Sequence, residues 1–485
     1  MTRDGWELVV GLEVHIELNT RSKMFCGCAT DFGAPPNTRT CPVCSGQPGA
    51  LPVVNGAAVE SAARLGLALN CRIAERCRFH RKNYFYPDLA KNYQISQYDL
   101  PLCTDGRLAM ELDGQTVRVG IERVHMEEDT GKSLHVGATG RLHGASYSLI
   151  DYNRSGIPLL ECVSKPDIRS PEQAGIFLRE LQGIVRALAI SDAKMEEGSM
   201  RCDANVSVRR LGEPFGTRCE IKNLNSVRSL NRAVAFEAER QIHVLESAGE
   251  IVQETRHWDE ERGLTATLRR KEGVTDYRYF PDPDLVEVVS TPDWVESLRL
   301  TLPELPAAAR RRLREAGVDA SQAATNVAGG LLPWFDEAVA AGADPRQVAI
   351  WLSGEVTAQL SQRGTEPAQS GLTGSHLVEL VALVQQGTLS TTMAKDVLDV
   401  VLASGGRKRP AEVARERGLQ QISDVDELQA VVDEVMARNP EVVRKIRGGA
   451  DKAIGALVGQ VMRETRGRAN PQLVNQLLRD RIAAG

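Results

Sequence analysis

Leu8-Val9-Val10-Gly11-Leu12-Glu13-Val14-His15-Ile16-Glu17-Leu18 carries an apolar side chain at every second position. An extended chain turns successive side chains to opposite faces, so Leu8, Val10, Leu12, Val14, Ile16 and Leu18 share one face. Glu13, His15 and Glu17 share the other. The segment therefore reads as a strand whose apolar face enters a core and whose opposite face lines up three ionisable groups. Met200 to Val208 repeats the pattern. There Met200, Cys202, Ala204, Val206 and Val208 point one way, and Arg201, Asp203, Asn205, Ser207 and Arg209 the other.

Helices are set among these strands. Ser170-Pro171-Glu172-Gln173 combines an N-cap, a first-turn proline and a capping-box partner. Ile176, Phe177, Leu181, Ile184, Val185 and Leu188 follow at helical spacing. A second helix is expected from about Ser229 to Gly249, with the glycine ending it. Strands with inserted helices and no regular alternation indicate α+β rather than a doubly wound sheet.

The chain has 485 residues, enough for two to four domains. Its texture changes along its length. Residues 1–293 are rich in short alternating runs and turn signals. Residues 294–405 are mostly helical, as in Pro303–Ala316 and Gly374–Gln385, and residues 406–485 are helical with basic clusters. A hydrophobic fraction of 42% and a charged fraction of 25% are globular values. No apolar run reaches about 18 residues, so no membrane span is expected. The start, Met-Thr-Arg-Asp-Gly-Trp, has no secretory pattern, and a cytoplasmic location is the expectation. The formal charge of −5 argues against a general nucleic-acid coat. Any RNA contact has to come from a local basic surface.

The 10 cysteines all lie at or before Cys219 and make a poor disulfide framework. Four of them are grouped: Cys26-x-Cys28, then Cys41-Pro-Val-Cys44. Thiolates at this paired spacing can close a tetrahedral shell around zinc and leave no open coordination position, which points to a structural zinc module over residues 26–44. The acidic constellation comprises Glu13, His15 and Glu17, then Arg123-Val-His125-Met-Glu127-Glu128-Asp129, Glu161, Asp203 and Asn205, and Glu220-Ile-Lys222-Asn223. Carboxylates facing one cavity repel one another unless a cation lies between them, and Mg²⁺ prefers such oxygens. Taken singly, each is more often a solvated strand face than a ligand. Arg81-Lys82-Asn83-Tyr84-Phe85-Tyr86-Pro87-Asp88 and Asp276-Tyr277-Arg278-Tyr279-Phe280-Pro281-Asp282 interleave basic and aromatic residues that could stack on bases, line a polar passage, or simply be half-buried core.

No P-loop, strand-linked Gly-x-Gly-x-x-Gly or Gly-x-Ser-x-Gly elbow occurs, so any ATP is held without a P-loop. Nor is there a recognisable nucleophile for releasing ammonia from glutamine. In the tail, Ser423-Asp-Val-Asp426 opens a helix with an apolar stripe of Leu428, Val431, Val432, Val435 and Met436. Arg444, Lys445, Arg447, Arg466 and Arg468 follow. Beside glycines and helix ends, these can hold phosphate or be solvated ends.

Val10-Gly-Leu-Glu-Val-His15-Ile-Glu-Leu, Cys41-Pro-Val-Cys44-Ser-Gly-Gln-Pro-Gly, Arg81-Lys-Asn-Tyr-Phe-Tyr-Pro87, Tyr93-Gln-Ile-Ser-Gln97, Met126-Glu-Glu-Asp129, Asp151-Tyr-Asn-Arg154, Lys194-Met-Glu-Glu-Gly198, Glu220-Ile-Lys-Asn-Leu-Asn-Ser226, Tyr277-Arg-Tyr-Phe-Pro281 and Asn470-Pro-Gln-Leu-Val-Asn-Gln-Leu-Leu478 stand in this order along the whole chain. Together they resemble the B-subunit (GatB) family of aspartyl/glutamyl-tRNA amidotransferases. The resemblance implies a cradle-shaped catalytic domain with antiparallel sheets, related in fold to glutamine synthetase. A helical domain and a small all-helical tail that grips tRNA follow it. It also implies ATP-dependent phosphorylation of the side-chain carboxylate of Glu-tRNA(Gln) or Asp-tRNA(Asn). Amidation then uses ammonia supplied through a passage from an amidase partner, the A subunit, while a small C subunit holds the assembly together. ATP, Mg²⁺ and structural Zn²⁺ are the implied cofactors.

Carried onto this chain, the resemblance makes Glu13, His15 and Glu128 the first candidates for catalysis. Glu127, Glu161, Asp203 and Glu220 join them in the metal and nucleotide region, Cys26, Cys28, Cys41 and Cys44 are the zinc ligands, and Lys82 and Tyr84 lie near the ammonia passage. Arg444, Lys445, Arg447, Arg466 and Arg468 are the candidates for tRNA contact. Two other readings stay open: a non-catalytic tRNA-binding protein with a zinc module, and a ligase acting on free glutamate.

Overall fold

In the computed structural model, every residue is described except 1–4, 113, 138–144, 271–275, 420–424, 448–452, 466–468, 470 and 485. The chain divides into two compact units, Met1–Pro306 and Ala307–Gly485.

The first unit is built on a nine-stranded sheet. In chain order its strands are β1 (Trp6–Glu17), β2 (Arg72–Ile73), β3 (Cys103–Leu112), β4 (Gln115–Glu128), β5 (Pro158–Ser164), β6 (Met200–Arg210), β7 (Cys219–Leu224), β8 (Glu254–Asp259) and β9 (Leu264–Arg270). Across the sheet they run β9-β8-β7-β6-β1-β5-β4-β3-β2. β1 thus lies in the interior, flanked by β5 and β6, which follow it by well over a hundred residues. All neighbours are antiparallel except β7 and β8. A parallel pair needs a long crossover, and the helix α3 (Val227–Glu246) supplies it.

The expected alternation of β1 is the observed one. Val10, Leu12, Val14 and Ile16 are fully buried, while Glu13, His15 and Glu17 stay on the open face. α1 (Gly56–Ala68) and α2 (Pro171–Ala187) cover the β3–β4 part of the apolar face, and α3 covers the β6 and β9 part. Leu65, Phe177, Leu181 and Val234 meet the strands in a single core. Each fully buried aliphatic chain there contributes about 1.5–3 kcal/mol, so a charge at Val14 would undo the layer. With helices on one side only, the opposite polar face is free to form a site.

The helix signals act with local adjustments. Ser170 accepts from Gln173 N at 3.1 Å, but the Gln173 side chain reaches back to Arg169 N at 2.8 Å rather than to the capping residue itself. α3 starts at Val227, capped by Ser226, and ends at Glu246, short of the expected Ser229–Gly249 span. Its left-handed terminal residue is Ala248, at φ 57°. Gly249 is required for a different reason: a Cβ there would meet Val244 Cγ1 at 2.9 Å. α4 (Pro292–Leu300) buries Leu298 in the same core, within the unit Met1–Pro306.

The second unit is helical throughout its described elements. One core gathers residues from Leu313 to Ala414, and another gathers residues from Leu428 to Leu478. In Val425–Arg438, Leu428, Val432 and Val435 are buried, with Val431 and Met436 packed beside them. The proposed cap at Ser423 lies outside the described residues. Among the described residues no helix is long and apolar enough to cross a membrane.

Candidate active site and cysteine cluster

Strand register builds the site. Directly opposed residues of antiparallel strands share a face with Cβ atoms about 4.5–5.5 Å apart. His15 of β1 is opposite Glu161 of β5 and Arg201 of β6, and Glu161 is opposite His125 of β4. One row across four strands therefore reads His125, Glu161, His15, Arg201. The next row contains Arg123, Val163, Glu13 and Asp203, and the row on the other side contains Glu127, Leu159 and Glu17. A bulge between Val163 and Ser164 breaks the ladder at the edge of this patch, and Ser164 Oγ there accepts from Leu12 N at 2.8 Å.

His15 Nε2 is the hub. It lies 3.4 Å from Glu161 Oε2, 3.7 Å from Glu127 Oε1 and 3.8 Å from Glu13 Oε1. Two overlapping groups share it, Glu13–His15–Asp203 and His15–Glu127–Glu161, each with ligand atoms within 4.8 Å of one another. The groups border an open groove of about 630 Å³, which Lys82, Asp129, Arg201 and Lys222 also line.

This crowding sets the protonation. Burial, reinforced by Glu161, raises the Glu13 carboxyl to about 7. Burial alone would lower the His15 imidazole, but Glu161, Glu127 and Glu13 outweigh it and raise it to about 9. Burial and the neighbouring Glu161 push the Glu127 carboxyl up. Burial would likewise raise Glu161, but the adjacent imidazoles and Lys82 hold it well below the usual carboxylate range. His125 is pushed down to about 4 by burial, and its Nδ1 accepts from Arg123 Nε at 3.3 Å. A divalent ion could bind here, and the mixed oxygen and imidazole donor set suits one.

The expected residues divide. Glu13, His15, Glu127, Glu161 and Asp203 meet. Glu128 does not: successive strand residues face opposite ways, so the side chain after Glu127 leaves the groove. Its carboxylate instead pairs with Lys91 and accepts from Ile95 N at 2.9 Å, lining a small cavity beside the cysteine loop. Glu220 stands one step out. It accepts from Thr255 Oγ1 at 2.9 Å and pairs at 3.0 Å with Lys222 Nζ, which also binds Asp203. Lys82 lines the groove. Burial opposes its charge, but Glu127 and Glu161 outweigh that and raise it. Its Nζ lies 5.2 Å from the centre of the Tyr277 ring, and that ring packs edge-on against Tyr84 at 6.0 Å.

Sequence reading placed Lys222 in the acidic constellation without giving it a role, and missed the ion pair of Arg201 with Asp129 at 2.8 Å. Parity held a signal for both. Arg201 is two residues from Asp203, and Lys222 is two residues from Glu220.

In the loop after β1, Cys26, Cys28, Cys41 and Cys44 bring their sulfurs within 4.8 Å of one another, and the Cys41 and Cys44 sulfurs are 3.9 Å apart. A tetrahedron of zinc–sulfur bonds has sulfurs about 3.8 Å apart, so the cluster fits zinc. The Cys26 thiol donates to Cys44, and with Lys23 contributing, Cys44 is lowered to about 4. In the second unit, Arg444, Lys445 and Arg447 are exposed on Pro440–Arg447. Arg444 pairs with Glu441 at 2.9 Å, and Arg447 Nε donates to Ile482 O at 3.3 Å. Arg466 and Arg468 lie outside the described residues.

Comparison with known families matches residues 8–296 to the GatB/GatE catalytic domain and residues 333–482 to the GatB domain. A protein of Salinispora tropica is 53% identical over 483 residues, covering 98% of this chain and 96% of its own length. One from Carboxydothermus hydrogenoformans is 50% identical, covering 99% of each chain. One from Moorella thermoacetica is 52% identical, covering 98% of this chain and 100% of its own. All three are named as the B subunit of aspartyl/glutamyl-tRNA(Asn/Gln) amidotransferase.

Proposed function

From the premise that this chain belongs to the GatB family, we propose that it is the component that amidates misacylated tRNA. It is a carbon–nitrogen ligase acting on Glu-tRNA(Gln), Asp-tRNA(Asn) or both. It works in a heterotrimer with an amidase, the A subunit, and with a small C subunit. The observation that carries the assignment of the chemistry to this chain is His15 at the meeting point of two three-residue ligand groups on the open sheet face.

A carboxylate resists attack by ammonia because oxide is a poor leaving group. Phosphorylation by ATP removes that obstacle. A side-chain carboxylate oxygen of the tRNA-bound amino acid attacks the γ-phosphorus, and ADP departs. Ammonia nitrogen then attacks the acyl carbon, the carbon–oxygen bond to phosphate breaks, and the nitrogen loses a proton. Glu13, His15, Glu127, Glu161 and Asp203 would hold Mg²⁺, whose chemistry is neutralisation of phosphate and carboxylate charge. To serve as a ligand, His15 would give up its proton. Lys82 and Arg201 border the same groove and orient anionic groups there. Lys222 donates to Asp203 Oδ2 and holds that carboxylate in place. Lys82 and Tyr84 would lie near the passage that delivers ammonia.

The sheet would serve as the glutamine-synthetase-like cradle, with the catalytic part over 1–293, a helical domain over 294–405 and a tRNA-gripping tail over 406–485. Arg444, Lys445 and Arg447 are the described residues that would contact phosphate in the tail. The cysteine cluster would hold zinc in a structural role, and the enzyme would work in the cytoplasm.

The test uses the purified heterotrimer on misacylated tRNA, with ATP and ammonium, comparing wild type with Glu127→Gln. Loss of both ADP release and amide formation, with tRNA binding kept, is the expected result. Unchanged turnover would overturn the assignment.

A further inference from the structure

We infer that Lys23 is the cation that balances the charge of the four-cysteine zinc centre and ties it to the wall of the catalytic groove. Lys23 lies between β1 and Cys26 and is only 1% exposed. Its Nζ is 3.7 Å from Cys44 Sγ and donates to Tyr152 O at 3.1 Å. Two nearby lysines have carboxylate partners within ion-pair distance, Lys91 with Glu128 and Lys222 with Asp203 and Glu220. Among the described residues no carboxylate pairs with Lys23.

A buried ammonium left without a counter-charge is penalised by several kcal/mol, so the charge must be met by something else. Resting on the zinc reading above, four thiolates around one divalent ion leave a net charge of −2. Cys44 is the buried member of the four. The ammonium has only the neutral Tyr152 carbonyl as its other partner and the thiolate cluster is anionic, so each supplies the counter-charge of the other. The N–H···S hydrogen bond also fixes the position of the sulfur, which disfavours the departure of the metal.

The backbone carries the contact onward. Lys23 N donates to Cys28 O at 3.0 Å, closing the loop that holds the first two cysteines. Met24 N donates to Gly156 O at 2.7 Å, and Gly156 N donates to Asp129 O at 2.8 Å. Asp129 Oδ2 accepts from Arg201, which lines the groove. The Lys23 stem passes beside Gly156, where an added Cβ would lie 3.4 Å from Lys23 Cδ and φ is +87°. Lys23 is thus a positioning residue at the junction between the metal loop and the site.

The experiment uses the intact heterotrimer. Its zinc content is measured first, and wild-type complex without zinc overturns the zinc reading and this inference together. With zinc present, its transfer to an excess of chelator is followed with a metallochromic dye for wild type and Lys23→Met. Zinc held on the order of 10–100-fold less tightly in the variant is expected. Equal retention would overturn the role of Lys23 while leaving the zinc site standing. In cobalt-substituted complex, the thiolate-to-cobalt charge-transfer band is expected at lower energy in Lys23→Met, because the sulfur has lost its donor. An unshifted band would count against the contact. Should Lys23→Met fail to assemble, Lys23→Gln is neutral and polar and is read by the same two measurements.

Discussion

Lys222 stands between two carboxylates, bound to Asp203 and 3.0 Å from Glu220 Oε1. Burial opposes its charge, and the two anions outweigh that and raise it. Lys222→Met removes the partner that holds Asp203 in place and lets its carboxylate turn away. Turnover of the complex is expected to fall at least about tenfold, the scale of removing a partner that orients a metal ligand. Steady-state amide formation at saturating ATP checks this, and an unchanged rate would mean that Asp203 is placed without Lys222. Glu127 and Glu128 make the complementary case. Adjacent in sequence, they enter different surroundings, and Glu128→Gln leaves Lys91 buried without its counter-charge. The expected result is a loss of about 3–5 kcal/mol in stability, seen as a lower melting temperature of the isolated chain. Wild-type stability in that variant would show the pair to be dispensable. The polar face of β1 was legible because parity needs only neighbouring residues. The choice between Glu127 and Glu128 was not, because it depends on the register of β4 against β5.

Among the elements, the helix that begins at Gly374 is started by an imidazole. His376 Nδ1 accepts from Thr373 N at 3.2 Å and its Nε2 donates to Gly406 O at 3.1 Å, an arrangement that needs the neutral ring. Burial, aided by Arg409, holds it below its ordinary value of 6.5. A histidine with a depressed folded pKa binds protons more readily when unfolded, so its stabilisation is present at neutral pH and is lost as pH falls below the unfolded value. Cooling of the melting transition between about pH 7.5 and about pH 5.5 is expected to be smaller in His376→Gln than in wild type. Parallel shifts would remove His376 as the cause. For α2, Ser170→Ala is expected to cost about 1 kcal/mol, measured by urea unfolding, because Gln173 N loses its acceptor. That start was readable in four residues. The end of α3 was not, since Gly249 answers to the side chain of Val244 rather than to its own φ.

At the level of the whole molecule, each of the two compact units has a hydrophobic core of its own. The isolated chain is therefore expected to unfold in more than one calorimetric transition. A single two-state transition would show that the units melt together. The tail bears on function in a separable way. Replacing Arg444, Lys445 and Arg447 together with alanine is expected to weaken tRNA binding and flatten its salt dependence, with kcat unchanged at saturating tRNA. A fall in kcat with unaltered binding would place these residues elsewhere in the mechanism.

Local order in the sequence determined a good part of this protein: the two-faced strand at β1, the paired cysteine spacing, the helix start at Ser170 and the long run of helices after the sheet. Each depends on the few residues around it, whose periodicity and side-chain chemistry act over one or two turns. Tertiary structure decided which strands became neighbours. β1 pairs with two strands that lie far along the chain, and that pairing brings His15 to Glu161, Glu13 to Asp203, and Glu127 to the same hub. It also brought Lys23 to Cys44 and turned Glu128 away from the groove. Such contacts close long loops and are fixed only when the buried face of the whole sheet is satisfied at once, so no short window of sequence contains them.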